Sequence, residues 1–381
     1  MIHLSINLSR ILLKIFYIFP VKRNQIFFSS YEGKQFSCNP KYIFNELSKT
    51  KQDLLYVYEY NDLLNPPDAL KENVTLVKHN SFKYFYHVLT SRVIITNSGI
   101  TAKIPIRNSQ TLINTWHGGG AYKKAGKDIA AEINGSDSYF IDIQNKQTSF
   151  FISSSRRFSE IIHSGIGIDY EKFLNIGMPR NDIFFQDQET LLNVRERVKN
   201  ALGIDKDEKF ILYAPTFRGN AGQDSGIKGE KLDIDGVLQA LHKKFGGKWH
   251  FVYRGHYFSD GSWNELCINA TKFPDMQELL VAADILITDY SSSVWDFSIT
   301  DKPGFLYTPD IDLYKEERDF YIPIDLWPYH VAKTNQDLQK VILSYNHEEQ
   351  VKRNLRHHEM LGSYEMGNAC QRIASFLLNI I

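Results

Sequence analysis

The stretch Ile285-Leu-Ile-Thr-Asp-Tyr-Ser-Ser-Ser293 runs from a short apolar strand straight into a row of hydroxyls. Amide N–H groups at a helix start, beside the hydroxyls of Ser291, Ser292 and Ser293, suit a phosphate. The same residues equally suit an ordinary serine cap after a core strand. A second stretch, Thr115-Trp-His-Gly-Gly-Gly-Ala-Tyr-Lys-Lys124, ends a strand in consecutive glycines, which let backbone approach a ligand closely. His117 stands at a strand end, where parallel-sheet proteins keep chemistry, and an imidazole takes a proton from a hydroxyl near neutral pH. The alternative is a histidine closing a glycine turn, with Lys123 and Lys124 simply solvated. Arg254 and His256 end a third strand and face the same way if the strand persists. A cation and an imidazole suit a diphosphate; a surface pair is the other reading. Thr216 and Arg218 follow a further strand. Pro179-Arg-Asn-Asp182 reads as a turn in which Arg180 either supports the fold or touches ligand.

The elements that must position these groups alternate. Strands are expected at Gln25–Ser29, Asp53–Tyr58, Val74–Val77, Val93–Thr96, Thr111–Thr115, Phe150–Ser155, Lys209–Ala214, Trp249–His256, Ile285–Ile287 and Gly304–Thr308. Helices are expected from Lys41, after Asn39-Pro40, to Leu47, then at Phe82–Leu89, from Arg156, at Glu189–Leu202, Ile234–Phe245, Val294–Ile299, Gln336–Tyr345 and Glu349–Leu378. Such alternation builds parallel sheets covered by helices, so the fold class is α/β with doubly wound sheets. The spacing predicts an N-terminal segment 1–23, a first domain 24–188, a second domain 189–345 and closing helices 346–381. Gly219–Gly229 is glycine-rich and polar, either a lid or a bare surface loop.

At 381 residues the chain exceeds one core, and 43% hydrophobic residues suffice to fill two. Lys plus Arg equals Asp plus Glu at 44 each, which argues against a broadly cationic nucleic-acid binder. Cys38, Cys267 and Cys370 lie far apart, so neither a disulfide framework nor a cysteine zinc site is expected, and a reducing cytosol fits. Asp233-Ile-Asp235 and Asp310-Ile-Asp312 have a DxD form, but neither directly follows a buried strand, and no metal site is expected. No Walker lysine and no GxGxxG after the first strand are present, which weakens ATPase and dinucleotide readings. Met1–Pro20 is apolar but broken by Arg10 and Lys14, too polar to span a bilayer. Leu4, Leu8, Ile11, Leu12, Ile15 and Phe19 share one helix face, which lies on a membrane surface, docks into the protein's own core, or belongs to a processed segment.

Trp116-His-Gly with Lys123-Lys124, then Gly177-Met-Pro-Arg-Asn-Asp182, Ala214-Pro-Thr-Phe-Arg218, Arg254-Gly-His256 and Ile287-Thr-Asp-Tyr-Ser-Ser-Ser-Val-Trp-Asp-Phe297 resemble, in that order, the CDP-glycerol glycerophosphotransferase family of teichoic-acid primases and polymerases and their capsule relatives. The resemblance implies a GT-B fold with a cleft between an acceptor domain and a CDP-alditol domain. It implies attack by an acceptor hydroxyl on the β-phosphorus of CDP-glycerol or CDP-ribitol, releasing CMP, at the cytoplasmic face of the membrane. By the resemblance His117 is the candidate base and His256 steadies the diphosphate. Arg218, Arg254, Thr288, Asp289, Ser291 and Ser292 fall on the donor side, and Gly118, Lys123, Lys124 and Arg180 on the acceptor side. The acceptor is lipid-linked or an oligosaccharide, no protein-bound cofactor is implied, and free Mg²⁺ is compatible. Gly118-Gly119-Gly120 replaces the family's more familiar Gly-Thr-Pro. A GT-B sugar-nucleotide enzyme, a glycosyltransferase or 2-epimerase, is one rival reading, and a catalytically inactive membrane-docked scaffold is the other.

Overall fold

The computed structural model describes residues 2–50, 53–129, 135–216, 230–255, 267–317 and 319–381. The chain divides into two compact units: 1–117 with 125–182 and 364–381, and 118–124 with 183–363.

The first unit is built on seven parallel strands: β1 (Lys22–Ser29), β2 (Leu55–Glu59), β3 (Val74–Val77), β4 (Ser91–Thr96), β5 (Thr111–Asn114), β6 (Phe150–Ser153) and β7 (Phe173–Asn175). They lie in the order β3-β2-β1-β4-β5-β6-β7. The central strands read Ile26-Phe-Phe28 and Val93-Ile-Ile95, apolar without a break, because helices cover both faces of a parallel sheet. Their register pairs Phe27 with Ile94 and Phe28 with Ile95. On one face Phe27, Val57, Val77, Ile94 and Leu112 pack with Tyr84, Val88 and Leu89 of helix Phe82–Thr90. On the other, Phe28 stacks on Tyr58 and meets Phe44 edge-on, from helix Cys38–Leu47.

The second unit has six parallel strands: β8 (Lys209–Tyr213), β9 (Trp249–Tyr253), β10 (Cys267–Asn269), β11 (Ile285–Thr288), β12 (Gly304–Tyr307) and β13 (His330–Ala332), ordered β10-β9-β8-β11-β12-β13. Counted from its own first strand, this is the 3-2-1-4-5-6 order that opens the first sheet too. Each sheet therefore has a switch point, between β1 and β4 and between β8 and β11, where loops diverge at the strands' carboxyl ends and ligands bind.

Several expectations change. The boundary placed at 188 falls after Asp182, and the closing block 346–381 divides between the units. Helix Glu349–Leu378 is two helices, His347–Leu361 and Ala369–Ile380, because Gly362 takes a left-handed φ of 64° and ends the first. The second is capped by Asp182, whose carboxylate accepts the Ala369 and Cys370 N–H groups at 3.1 and 2.7 Å. That bond pair explains why the C-terminal helix belongs with the first unit. Segment 1–23 belongs there as well. Arg10 donates to the carbonyls of Ala102 and Ile104, Tyr17 to that of Pro105, and Phe16 joins the core. Helix Gly135–Gln147 and the three-residue strands β10 and β13 were not anticipated. Arg218, His256 and the Gly219–Gly229 loop lie outside the described residues.

Candidate active site

In the first unit, His117 follows β5 and is exposed. Its Nδ1 lies 2.8 Å from the Asn97 carbonyl, beyond the end of β4. A carbonyl only accepts, so the neutral ring carries its proton on Nδ1 and Nε2 is the basic nitrogen. The ring stacks on Trp116, centroids 4.8 Å apart, and meets Tyr31 at 5.9 Å. The chain before it is held from below. Asn39, fully buried, donates to the carbonyls of Thr115 and Trp116 at 3.0 Å each, and Asn114 Oδ1 accepts the Trp116 N–H. Trp116 is thereby held at φ 52°, a left-handed conformation that a bulky residue adopts only under such restraint.

Arg180 is 4% exposed and donates to the His117 carbonyl at 2.6 Å, while its own N–H bonds to Asn39 Oδ1. The candidate ligand contact is thus turned inward and braces the His117 turn. The rest of Gly177–Asp182 is structural as well. Glu365 accepts the Met178 N–H and an Asn181 amide hydrogen, both at 3.1 Å. Burial raises the Asp182 carboxyl above its ordinary value, against the lowering by the two amides it caps. Asn39 and Asn97 were missed as supports of His117; a lone asparagine after a strand or before a proline does not announce which carbonyl it will meet.

In the second unit, the segment Gly118–Lys124 lies against residues 319–321: Lys124 N–H bonds to the Asp319 carbonyl and Tyr321 N–H to that of Tyr122. Lys124 Nζ pairs with Asp319 at 2.7 Å, so this cation, expected on substrate, has a protein partner; Lys123 sits in the same bridge, paired with Phe320. Gly118 is buried. At Gly119 a Cβ would fall 2.2 Å from the Trp295 indole, which excludes any side chain. The Trp295 ring in turn lies 4.3 Å from that of His358, tilted by 43°, and Tyr122 bonds to His357 Nε2 at 3.0 Å.

The switch point of this sheet joins the loops after β8 and β11. Asp289, 1% exposed, accepts the N–H of Thr216 at 2.8 Å and of Tyr290 at 2.6 Å, and Thr288 Oγ1 donates to the Ala214 carbonyl at 2.6 Å. Thr288 and Asp289 therefore tie the two loops together. Ser291 and Ser292 are half-buried at the turn, and Ser293 Oγ is buried with no hydrogen-bond partner among the described residues. The expected set of unpaired helix-start amides is a correction. Ser293 N–H already bonds to Ser291 Oγ, Val294 N–H to the Ser291 carbonyl and Trp295 N–H to that of Ser292. A helix of six residues, Ser293–Ser298, begins in tight turns that consume those donors. Arg254 also turns inward, donating to the carbonyls of Phe273 at 2.6 Å and Ala270 at 3.3 Å. The DxD carboxylates have fold partners: Asp233 caps helix Ile234–Phe245, and Asp310 accepts the Tyr290 hydroxyl. Among the described residues no group of three or more His, Cys, Asp or Glu is placed to hold a metal.

Two doubly wound Rossmann-like sheets in one chain define a GT-B protein. This one belongs to the CDP-glycerol:poly(glycerophosphate) glycerophosphotransferase family, whose model matches residues 11–379. It is 28% identical to a teichoic acid poly(glycerol phosphate) polymerase of Bacillus spizizenii, over 98% of this chain and 97% of that protein. It is 31% identical to a polymerase of the same description from Staphylococcus epidermidis, over 85% of this chain, and spans 47% of that longer protein. Among solved structures, a histidine-to-asparagine variant of the wall teichoic acid polymerase TagF, soaked with CDPG, superposes with a TM-score of 0.83 at 26% identity, covering 98% of this chain and 93% of that one.

Proposed function

We propose that this chain transfers glycerol phosphate, or a related alditol phosphate, from CDP-glycerol to an acceptor hydroxyl, making a phosphodiester and releasing CMP in the synthesis of a teichoic-acid or capsule-type polymer. The observation that carries the reading is His117. It is an exposed imidazole at the carboxyl end of a central strand, with its tautomer set by the Asn97 carbonyl, in a chain of this family. In the step, the acceptor oxygen bonds to the β-phosphorus, the bond from that phosphorus to the bridging oxygen breaks, and CMP departs with the bridging oxygen. The acceptor's proton passes to His117 Nε2. Phosphoryl transfer needs alignment and charge neutralisation more than covalent chemistry, which suits the remaining assignments. Ser291 and Ser292 contact the donor, Thr288 and Asp289 hold the loop that presents them, and His256 and Arg218 neutralise the diphosphate.

The acceptor, lipid-linked or an oligosaccharide, is met at a membrane surface to which the first helix binds. In support, Leu4, Leu8, Ile11, Leu12, Ile15 and Ile18 are each more than half exposed on one face, while Ile6 and Phe16 on the other are buried. Lys14 within the segment and Arg23 just after it are exposed, cations suited to an anionic lipid surface. Among the described residues no helix is long and apolar enough to cross a membrane.

The test is a panel of CDP-glycerol, CDP-ribitol and UDP-sugars offered with an acceptor. Turnover of a CDP-alditol is expected, and His117→Ala should lower it about a hundredfold or more, the scale for losing a general base. Turnover of UDP-sugars alone, or near-native rates in a folded His117→Ala, would overturn the proposal.

A further inference from the structure

Asn97 is fully buried at the carboxyl end of β4. Its carbonyl takes the His117 Nδ1–H, and its Oδ1 takes the Tyr31 backbone N–H at 2.9 Å. Its side-chain Nδ2 has no hydrogen-bond partner among the described residues. An unpaired buried amide forfeits its hydration without return, and most buried polar side-chain atoms are paired. Holding Tyr31 explains Oδ1 and explains nothing about Nδ2; an aspartate would hold Tyr31 equally well.

The residues beside it carry strain. Tyr31, Glu32 and Gly33 take successive left-handed conformations, with φ of 49°, 56° and 75°. For residues with a Cβ such a run is costly, and it persists here because the surroundings dictate it. Asn61 bonds the turn twice, through its N–H to the Gly33 carbonyl at 2.8 Å and through Nδ2 to the Glu32 carbonyl at 2.9 Å. Beneath, Glu59 is buried and ion-paired with His79, and a Cβ at Gly33 would lie 2.9 Å from Glu59 Cγ. The result is that Tyr31 and Trp116, both left-handed, flank one imidazole, and the unpaired amide of Asn97 belongs to the residue that sets that imidazole's tautomer.

We propose that Asn97 is a substrate-binding residue for the acceptor. Its Nδ2 donates to an oxygen of a polyol phosphate chain whose terminal hydroxyl is presented to His117, with the Tyr31 ring as the wall of that subsite. The inference rests on the transfer reading above and deepens it. Nδ2 is out of solvent's reach, so acceptor entry requires the strained Tyr31–Gly33 turn to shift.

Asn97→Asp removes the amide donor but adds a carboxyl group beside His117, so the neutral Asn97→Ser is measured alongside it. The aspartate keeps a side-chain oxygen for the Tyr31 N–H and leaves the backbone carbonyl on His117. With a water-soluble oligo(glycerol phosphate) bearing a free terminal hydroxyl as acceptor, KM for that acceptor should rise about tenfold or more. KM for CDP-glycerol should stay within about twofold. Asn97→Ser, smaller and with a shorter reach, should show the same one-sided rise. An acceptor KM within about twofold of native, or equal rises for donor and acceptor, would overturn the inference and leave Asn97 as a support of the turn alone. If the native chain releases no CMP from CDP-glycerol, the transfer reading falls instead. Equilibrium binding of the same oligomer then decides, and equal Kd for native and Asn97→Asp protein would overturn the role of the amide.

Discussion

Two buried histidines that take no part in the proposed chemistry, like His87, which burial pushes down to about 4, make the fold less stable in acid. His357 is pushed down to about 3, first by burial and then by the neighbouring His358, and burial pushes His358 down to about 4. Unfolded, each takes a proton near 6.5, so below that pH the unfolded chain binds more protons than the folded one. Stability is therefore complete above about pH 6.5 and lost progressively as pH falls toward 4, at ~2 kcal/mol per histidine by pH 5. His79, raised by its bond to Glu59, opposes this in part, since its contribution is present at low pH and fades as pH rises. The melting temperature should drop by several degrees between pH 7 and 5, and His357→Gln with His358→Gln should flatten the slope; a flat native profile would contradict the account. At this scale the sequence told less than the structure. His117 stood out because glycines follow it, but nothing in a string of letters says that Arg180 turns inward to the His117 carbonyl while Lys124 finds Asp319. Long cationic side chains reach wherever packing sends them.

Among the elements, the strands were the most readable. Ile26-Phe-Phe28, Val93-Ile-Ile95 and Ile285-Leu-Ile287 are buried on both faces, and unbroken apolar runs admit few other readings. Strands β10 and β13 escaped notice because three residues carry too little pattern, and Gly362 was passed over inside an otherwise helical run. The first segment, helix Ile2–Leu13 and the 3-10 turn Lys14–Ile18, shows why an either-or choice was not enough: it docks through Ile6 and Phe16 while its other face is left bare. Deleting it would remove two buried side chains, each worth about 1.5–3 kcal/mol, and confuse binding with unfolding. Leu8→Glu with Ile11→Glu touches only the exposed face, so it should abolish flotation with vesicles containing anionic lipid while leaving the melting temperature unchanged. Undiminished flotation would remove the membrane role of this helix.

For the molecule as a whole, the same strand order appears twice without any repeat visible in the sequence. Two sheets meet the same requirement, a switch point that gathers loops, with unrelated side chains: Asn97 and His117 at one, Thr216, Asp289 and the serines at the other. Alternation of strands and helices made the class readable, whereas the boundary after Asp182 was not, because it depends on a carboxylate capping a helix that begins at Ala369. The central claim concerns which bond breaks, and the identity of the nucleotide released in a turnover with CDP-glycerol and acceptor reports it directly. Attack at the β-phosphorus predicts CMP in equal amount to new phosphodiester; release of CDP would mean that carbon, and not phosphorus, is transferred, and the account would fail.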